Sequence, residues 1–312
     1  MIRVVFFGTP SFAVPTLEAL CVSGRRPARV VTQPDRPAGR GRRLRPPPVA
    51  LRARELELPV EQPARLSDPA LLERLEADAP DVAVVVAYGK IFRRRLLELP
   101  ALGCLNLHAS LLPAYRGAAP IQAAIAAGET VTGVTTMWME RDLDSGPILL
   151  QRETAIGPRE TAAELSERLA RLGAGLVVGT LERLEKGELT PRPQDETRVS
   201  WAPLLTREDG RVDWTLPAAA IADRLRAYTP WPGLTARLWG EPVKLVVAAA
   251  AGPAPRPAEP GEVVAVEDGR LLVACGEGSA LAVERLQRPG RRALPGDVFA
   301  HGERLAPGAR LE

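Results

Sequence analysis

Residues Ile2 to Phe7 form an unbroken apolar run rich in β-branched side chains, which predicts a buried parallel strand. Gly8-Thr9-Pro10 ends the run, and Ser11 is placed to cap a helix reaching Leu20. Arg29 to Gln33 predicts a second strand, Val49 to Glu57 a helix, Pro59 to Glu61 a short strand, and Asp68 to Asp78 another helix. Asp81 to Ala87 is the clearest central strand and runs into Tyr88-Gly89-Lys90-Ile91-Phe92. Strands alternating with helices predict an α/β domain, a Rossmann-like open parallel sheet. Ligands of such sheets collect at the carboxyl ends of the strands, so Ala87 to Ile91 should border a pocket. Only Gly8 follows the first strand; G-x-G-x-x-G is absent, which argues against a nicotinamide-dependent dehydrogenase.

Beyond the centre of the chain, Val131 to Met139 and Pro147 to Thr154 predict paired β-segments, and Glu160 to Lys186 has helical periodicity. Gly187 to Thr206, with Pro191, Pro193 and Pro203, predicts a linker. After it come a short helix, Ala218 to Ala227, and strands at Leu234–Trp239, Val243–Ala248, Glu262–Val266, Leu271–Ala274 and Leu281–Leu286. Short strands at this spacing predict a small β-barrel.

The stretch from Gly103 to Gly146 holds the candidate chemistry. Asn106 and His108 lie two apart in an apolar run, and period two puts both on one strand face. Asp144 follows the second β-like run, in the turn Asp142-Leu143-Asp144-Ser145-Gly146. Amide, imidazole and carboxylate together can handle an acyl-type tetrahedral intermediate. Each has a plainer reading: a structural histidine, a turn-satisfying asparagine, a turn-forming aspartate. What raises the set above these is Ser110 to Gly117, too apolar for a surface loop and too rich in Pro and Gly for a helix.

Composition narrows the class. Of 312 residues, 46% are hydrophobic and 25% charged, as in a soluble globular chain of one large or two ordinary domains. The three cysteines, Cys21, Cys104 and Cys275, are odd in number and far apart, which points to a reducing, cytoplasmic setting. With His108 and His301 the only histidines, no histidine-based metal site is expected. Gly8-Thr9-Pro10 cuts the first apolar run too short for a spanning helix, so neither a signal peptide nor a membrane partner is expected. Net charge is only +3, but Arg25 to Arg54 carries ten arginines against one acid, Asp35, which suits an anionic partner. Within it, Pro34 to Pro48 reads as a loop without regular structure.

NLHASLLPAYRGAAPIQ, followed by DLDSGPIL, resembles the folate-dependent formyltransferases. The likeness extends to VVFFGTPSFAVPTLEAL, VTQPDRPAGRGRRL, VVVAYGKIF, and RVDW with AYTPWPGLTARL, and so spans nearly the whole chain. Within the group the chain is similar to the enzymes acting on methionyl-tRNA. That implies transfer of a formyl group from 10-formyltetrahydrofolate, as cosubstrate, to the free amino group of initiator methionyl-tRNA, without a metal. N-formylmethionyl-tRNA for translation initiation would be the product. The catalytic residues implied are Asn106, His108 and Asp144. The folate would meet Ala87, Tyr88, Gly89 and Ile91 through backbone groups, and Ser110, Leu111, Leu112 and Pro113. Arg36, Arg40, Arg42, Arg43 and Arg45 would reach the acceptor arm of the tRNA. The implied domains are a formyltransferase domain (1–186), a linker (187–206) and a C-terminal OB-like domain touching tRNA (207–312), in a monomer.

Arg93 to Arg95 depart from the Pro-containing segment of the family and leave the local helix start open. Three rivals stay open. An amino-sugar nucleotide acceptor is disfavoured by the arginine loop, and the glycinamide-ribonucleotide enzyme by the extra domain. A non-catalytic RNA-binding module would not need the Asn106, His108, Asp144 set.

Overall fold

A computed structural model of the chain describes residues 2–38, 41 and 43–312. In chain order its first half contains β1 (Val4–Gly8), α1 (Val14–Val22), β2 (Arg29–Val31), β3 (Arg36–Ala38), β4 (Arg43–Arg45), α2 (Pro48–Glu55), β5 (Val60–Glu61), α3 (Pro69–Asp78), β6 (Val82–Val86), α4 (Arg94–Leu97) and β7 (Gly103–His108). Then come β8 (Arg116–Gly117), α5 (Pro120–Ala126), β9 (Val131–Trp138), β10 (Ile148–Ala155), α6 (Ala162–Glu185) and β11 (Trp201–Ala202). The remainder holds α7 (Ala218–Ala227), β12 (Leu234–Leu238), β13 (Glu241–Pro253), β14 (Val263–Glu267), β15 (Arg270–Ala274), β16 (Ser279–Gln287), β17 (Leu294–Pro295) and α8 (Gly296–Glu303).

Two compact units form. The first comprises Met1–Pro120, Val131–Ala155 and Ser166–Ala202; the second comprises Ile121–Thr130, Ile156–Leu165 and Pro203–Glu312. The first is built on a seven-stranded sheet in the order β10-β9-β7-β6-β1-β2-β5. The strands from β7 to β5 are parallel, and β9 and β10 extend the sheet antiparallel. The order reverses between β1 and β6, so their carboxyl ends form the crevice where such sheets take ligands. One face packs Val5, Phe7, Val31, Ala83, Val85 and Cys104 against Leu71, Leu72 and Leu75 of α3, with Tyr88, Phe92 and Leu96. Full burial of each large apolar side chain here contributes on the order of 1.5–3 kcal/mol. On the other face, α6 presents Gly173 to the Leu107 side chain, and Thr180 Oγ1 lies 2.9 Å from Thr136 Oγ1.

Several expectations change. Ser11 opens a 3-10 turn, with Pro10 at its cap position and no side-chain capping bond; α1 begins at Val14. A working cap occurs at α3, where Asp68 accepts from the Ala70 N–H at 3.1 Å. Pro34–Pro48 is not devoid of regular structure: β3 and β4 pair antiparallel, Arg36 with Arg45 and Pro37 with Leu44. The ribbon is isolated, so the donor missing at Pro37 interrupts no central ladder. Residues 187–206 do not hang as a linker: up to Ala202 they fold back on the first unit, where Arg192 bridges Ile148 and β11 pairs with β8. Arg93 sits at the cap position of α4, whose arginines pair with acids, Arg94 with Glu98 and Arg95 with Glu76.

The second unit carries an antiparallel sheet in the order β12-β13-β16-β15-β14, with β17 on β16. Among the described residues β12 and β14 end this hydrogen-bonded path, and α7 and α8 pack on this β-rich unit. Arg226 of α7 donates to the carbonyls of Gly157 and Glu160, chain segments distant in sequence but in the same unit. Among the described residues no helix is long and apolar enough to cross a membrane.

Candidate active site

β6 and β7 run side by side, Val85 beside Asn106 and Val86 beside Leu107, so Ala87 and His108 emerge from neighbouring strand ends. Cys104, Asn106 and His108 share one face by alternation. Cys104 belongs to the apolar cluster, and the two positions that follow on that face carry an amide and an imidazole. Asn106 is half-buried between Val85 and Met137; His108 is buried opposite Thr135.

Asp144 arrives from the turn between β9 and β10 in a left-handed backbone conformation, φ 51°. Its Oδ2 accepts from the Gly117 N–H at 2.9 Å and lies 3.6 Å from His108 Nδ1. The other ring nitrogen, Nε2, lies 2.9 Å from the Tyr115 carbonyl oxygen. A carbonyl can only accept, so Nε2 carries a proton. The second ring nitrogen, Nδ1, faces the Asp144 carboxylate. A proton arriving at Nδ1 creates an imidazolium beside a carboxylate. Ala87 (φ 46°) and Tyr115 (φ 61°) also hold positive φ. Backbone of this kind persists where surrounding structure over-determines it, as at functional sites.

Ser110 to Pro113 is held from beneath by Thr135, which is fully buried. Thr135 Oγ1 donates to the Ser110 carbonyl (2.6 Å) and accepts from the Leu112 N–H (3.2 Å). Gln151 Nε2 donates to Thr135 Oγ1 (3.0 Å) and to the Leu112 carbonyl (2.9 Å). The Ser110 hydroxyl donates to the Ala114 carbonyl at 2.6 Å. Ser110 therefore has both its hydroxyl and its carbonyl engaged within the protein. Leu112 packs with Met137 and Ile148, while Gly133 leaves room for the Leu111 side chain.

Of the other residues expected at the folate, Tyr88 turns its ring into the core, edge-on to Phe7 and Phe92, and burial pushes its phenol up to about 12. Its carbonyl accepts from Thr9 Oγ1 (3.1 Å) and Gln33 Nε2 (2.8 Å). Tyr88 thus ties the ends of β1 and β6 together. Ala87 and Gly89 are exposed at the strand end, Ile91 is 82% exposed, and Pro113 is half-buried. Of the arginines expected at tRNA, Arg36, Arg43 and Arg45 stand exposed on the β3–β4 ribbon; Arg40 and Arg42 lie outside the described residues. Arg36 donates to Gln33 Oε1, which links the ribbon to the Tyr88 carbonyl. Sequence reasoning missed Thr135, Gln151 and Gln194, none of which carries a local motif, and gave no role to Tyr115 although it lies within the SLLPAYRG run. Among the described residues no group of three or more His, Cys, Asp or Glu side chains converges.

Residues 2–181 match the formyl transferase family, and residues 204–304 match its C-terminal domain. The chain belongs to the formyl transferase family. The family match takes in Asn106, His108 and Asp144, and the segment carrying Gln194 falls between the two matches. A protein of Acidobacterium capsulatum named methionyl-tRNA formyltransferase is 51% identical over 310 residues, 99% of each chain. One of the same name from Geobacter sulfurreducens is 46% identical, covering 99% of this chain and 96% of its own. The N-formyltransferase of Helicobacter canadensis, solved with folinic acid and dTDP-3-aminofucose, superposes with a TM-score of 0.68 at 16% identity, over 91% of this chain and 99% of its own. That likeness is one of fold.

Proposed function

We propose that this formyl transferase moves the formyl group of 10-formyltetrahydrofolate to the amino group of methionyl-tRNA. The observation carrying the acceptor is full-length identity near 50% to relatives named for that substrate, against 16% to an amino-sugar enzyme of the same fold. The neutral amine attacks the formyl carbonyl. The Asn106 amide donates to the developing oxyanion, a contact made stronger in the transition state than in the ground state. The attacking nitrogen loses a proton and the folate nitrogen gains one. His108 Nδ1, beside Asp144, is the group suited to relay it. Folate lies at the exposed ends of β1 and β6, bounded by Ala87, Gly89 and the loop around Leu112.

For tRNA, Arg43 and Arg45 on the ribbon supply planar donor forks suited to phosphate. The second unit offers a groove of about 760 Å³ lined by Arg207, Arg211 and Arg237, with Trp231 half exposed. Arg288, in the cluster Arg285, Arg288, Arg291 and Arg292, is instead bound at both ends of its fork by Glu303, at 2.9 and 2.7 Å. The test is direct: incubate the protein with 10-formyltetrahydrofolate and, separately, methionyl-tRNA, an amino-sugar nucleotide and glycinamide ribonucleotide. Formylation of methionyl-tRNA alone is expected. Transfer to either of the others, with none to methionyl-tRNA, overturns the assignment.

A further inference from the structure

We propose that Gln194 is a positioning residue for formyl transfer, holding Asp144 at its place beside His108; this rests on the formyl-transfer reading above. Gln194 lies fifty residues beyond Asp144 in the chain, in the segment after α6. Its amide nitrogen donates to two carbonyls of the catalytic turn, Asp144 at 2.7 Å and Gly146 at 2.8 Å. Both amide hydrogens are thereby used, and they bridge the turn across the residue between.

The acceptor end of Gln194 is fixed equally. Arg116, itself buried, donates to Gln194 Oε1 from Nε (3.0 Å) and Nη2 (2.8 Å), and its outer nitrogens pair with Glu196. The residue after Arg116 is Gly117, whose N–H holds the Asp144 carboxylate. A closed ring results: Asp144 backbone to Gln194, Gln194 to Arg116, Arg116 through the chain to Gly117, and Gly117 back to the Asp144 side chain. Backbone and carboxylate of one residue are therefore set from a single short strand.

The same segment fixes His108. Ser200 accepts the Arg116 N–H on its carbonyl (2.9 Å) and the Tyr115 N–H on its hydroxyl (2.9 Å). The Tyr115 carbonyl faces His108 Nε2. Close approaches leave the frame little slack: a side chain on Gly117 would meet the Ala202 carbonyl oxygen at 2.4 Å, and one on Gly146 the Trp138 carbonyl oxygen at 1.9 Å. Asp144 sits in an uncommon left-handed conformation that needs such support. Gln194 is only half-buried, with exposed neighbours on either side, so it contributes little to the core. Its hydrogen bonds converge on the catalytic turn, and its effect should appear in the rate.

The discriminating variant is Gln194→Glu. It keeps shape and an acceptor for Arg116 but turns a carboxylate oxygen towards two carbonyl oxygens. Displacement of a reacting group by about 1 Å can cost on the order of 10²-fold, so kcat should fall by roughly 10- to 10²-fold. KM for 10-formyltetrahydrofolate and for methionyl-tRNA should stay within about twofold, because both ends of the Gln194 amide are engaged within the protein. Gln194→Asn keeps the amide but is too short to span both carbonyls; it should show the same split, less deeply, and serves if the glutamate variant does not fold. Unchanged kcat in a folded variant overturns the inference. So does a loss of kcat matched by a collapse of thermal stability in both variants, which would make Gln194 merely structural. Wild-type protein unable to formylate methionyl-tRNA would sink the reading beneath; active wild type with unimpaired variants sinks this inference alone.

Discussion

Thr135→Val removes one hydroxyl and almost no volume, at a fully buried position beside His108. The hydroxyl donates to the Ser110 carbonyl at 2.6 Å and accepts from the Leu112 N–H at 3.2 Å. Gln151 loses one partner but keeps the Leu112 carbonyl. Two backbone groups of the loop are thus left without their partner. Each costs about 1–3 kcal/mol when buried, and partial relaxation brings the sum to roughly 2–4 kcal/mol. That penalty falls on the closed loop, so opening it becomes some 30- to 1000-fold more favourable, at about 1.4 kcal/mol per factor of ten. Amide hydrogen exchange over residues 110–114 measures this directly. The expected result is exchange accelerated by that factor, with KM for 10-formyltetrahydrofolate raised and kcat at saturation less affected. Exchange and KM both equal to wild type would refute the reasoning, because the loop would then be held by its apolar contacts, Leu112 on Met137 and Ile148.

Other outcomes follow from the same geometry. Asn106→Ala and His108→Ala should each lower turnover by roughly 10²–10³-fold with folate binding retained, the scale of one lost oxyanion donor, as single-turnover kinetics would show. Asp144→Asn should lower turnover steeply with little change in melting temperature; a large melting shift with normal specific activity would make Asp144 a turn former only. Arg43→Ala with Arg45→Ala should raise KM for methionyl-tRNA and flatten its salt dependence, by about 0.9 in log–log slope for each duplex phosphate no longer neutralised, and leave folate KM unmoved. In the second unit, the Arg288 guanidinium holds the Glu303 carboxyl below its ordinary value of 4.5, so the pair's stabilisation is whole above that pH and fades as pH falls through the lowered value. Glu303→Gln should cost on the order of 1 kcal/mol at pH 7, and the gap in melting temperature from wild type should close in acid.

The apolar runs were legible because each strand states its own burial. Val4–Gly8 and Val82–Val86 are buried at every position, as a central parallel strand must be. Asn106 and His108 stood out for a different reason: polar side chains interrupt an apolar run next to a loop that fits neither helix nor solvent, and the fold then sets Asp144, read from a turn, 3.6 Å from His108. Ser11 was misread because a serine before an apolar run is only a local signal, and Pro10-Ser11 turns into a 3-10 segment first. The β3–β4 ribbon was hidden by proline, which forbids a central strand but not an isolated pair. Thr135 and Gln194 could not be seen at all. Their partners lie 25 and 50 residues away, and only the assembled sheet brings them together.

This division has a consequence for how the site tolerates change. The strands are specified by many apolar positions, so one altered polar residue leaves the sheet standing. The relation of His108 to Asp144 is specified by few atoms: one N–H from Gly117, one carbonyl from Tyr115, and the two N–H bonds of Gln194. All of these depend on β8, a strand of two residues whose only strand partner among the described residues is β11. Substitutions that loosen β8 from β11 should therefore leave secondary structure intact and disturb the His108–Asp144 pair first. The segment after α6, which in sequence looks like a spacer, is in that sense part of the frame that sets Asp144 beside His108.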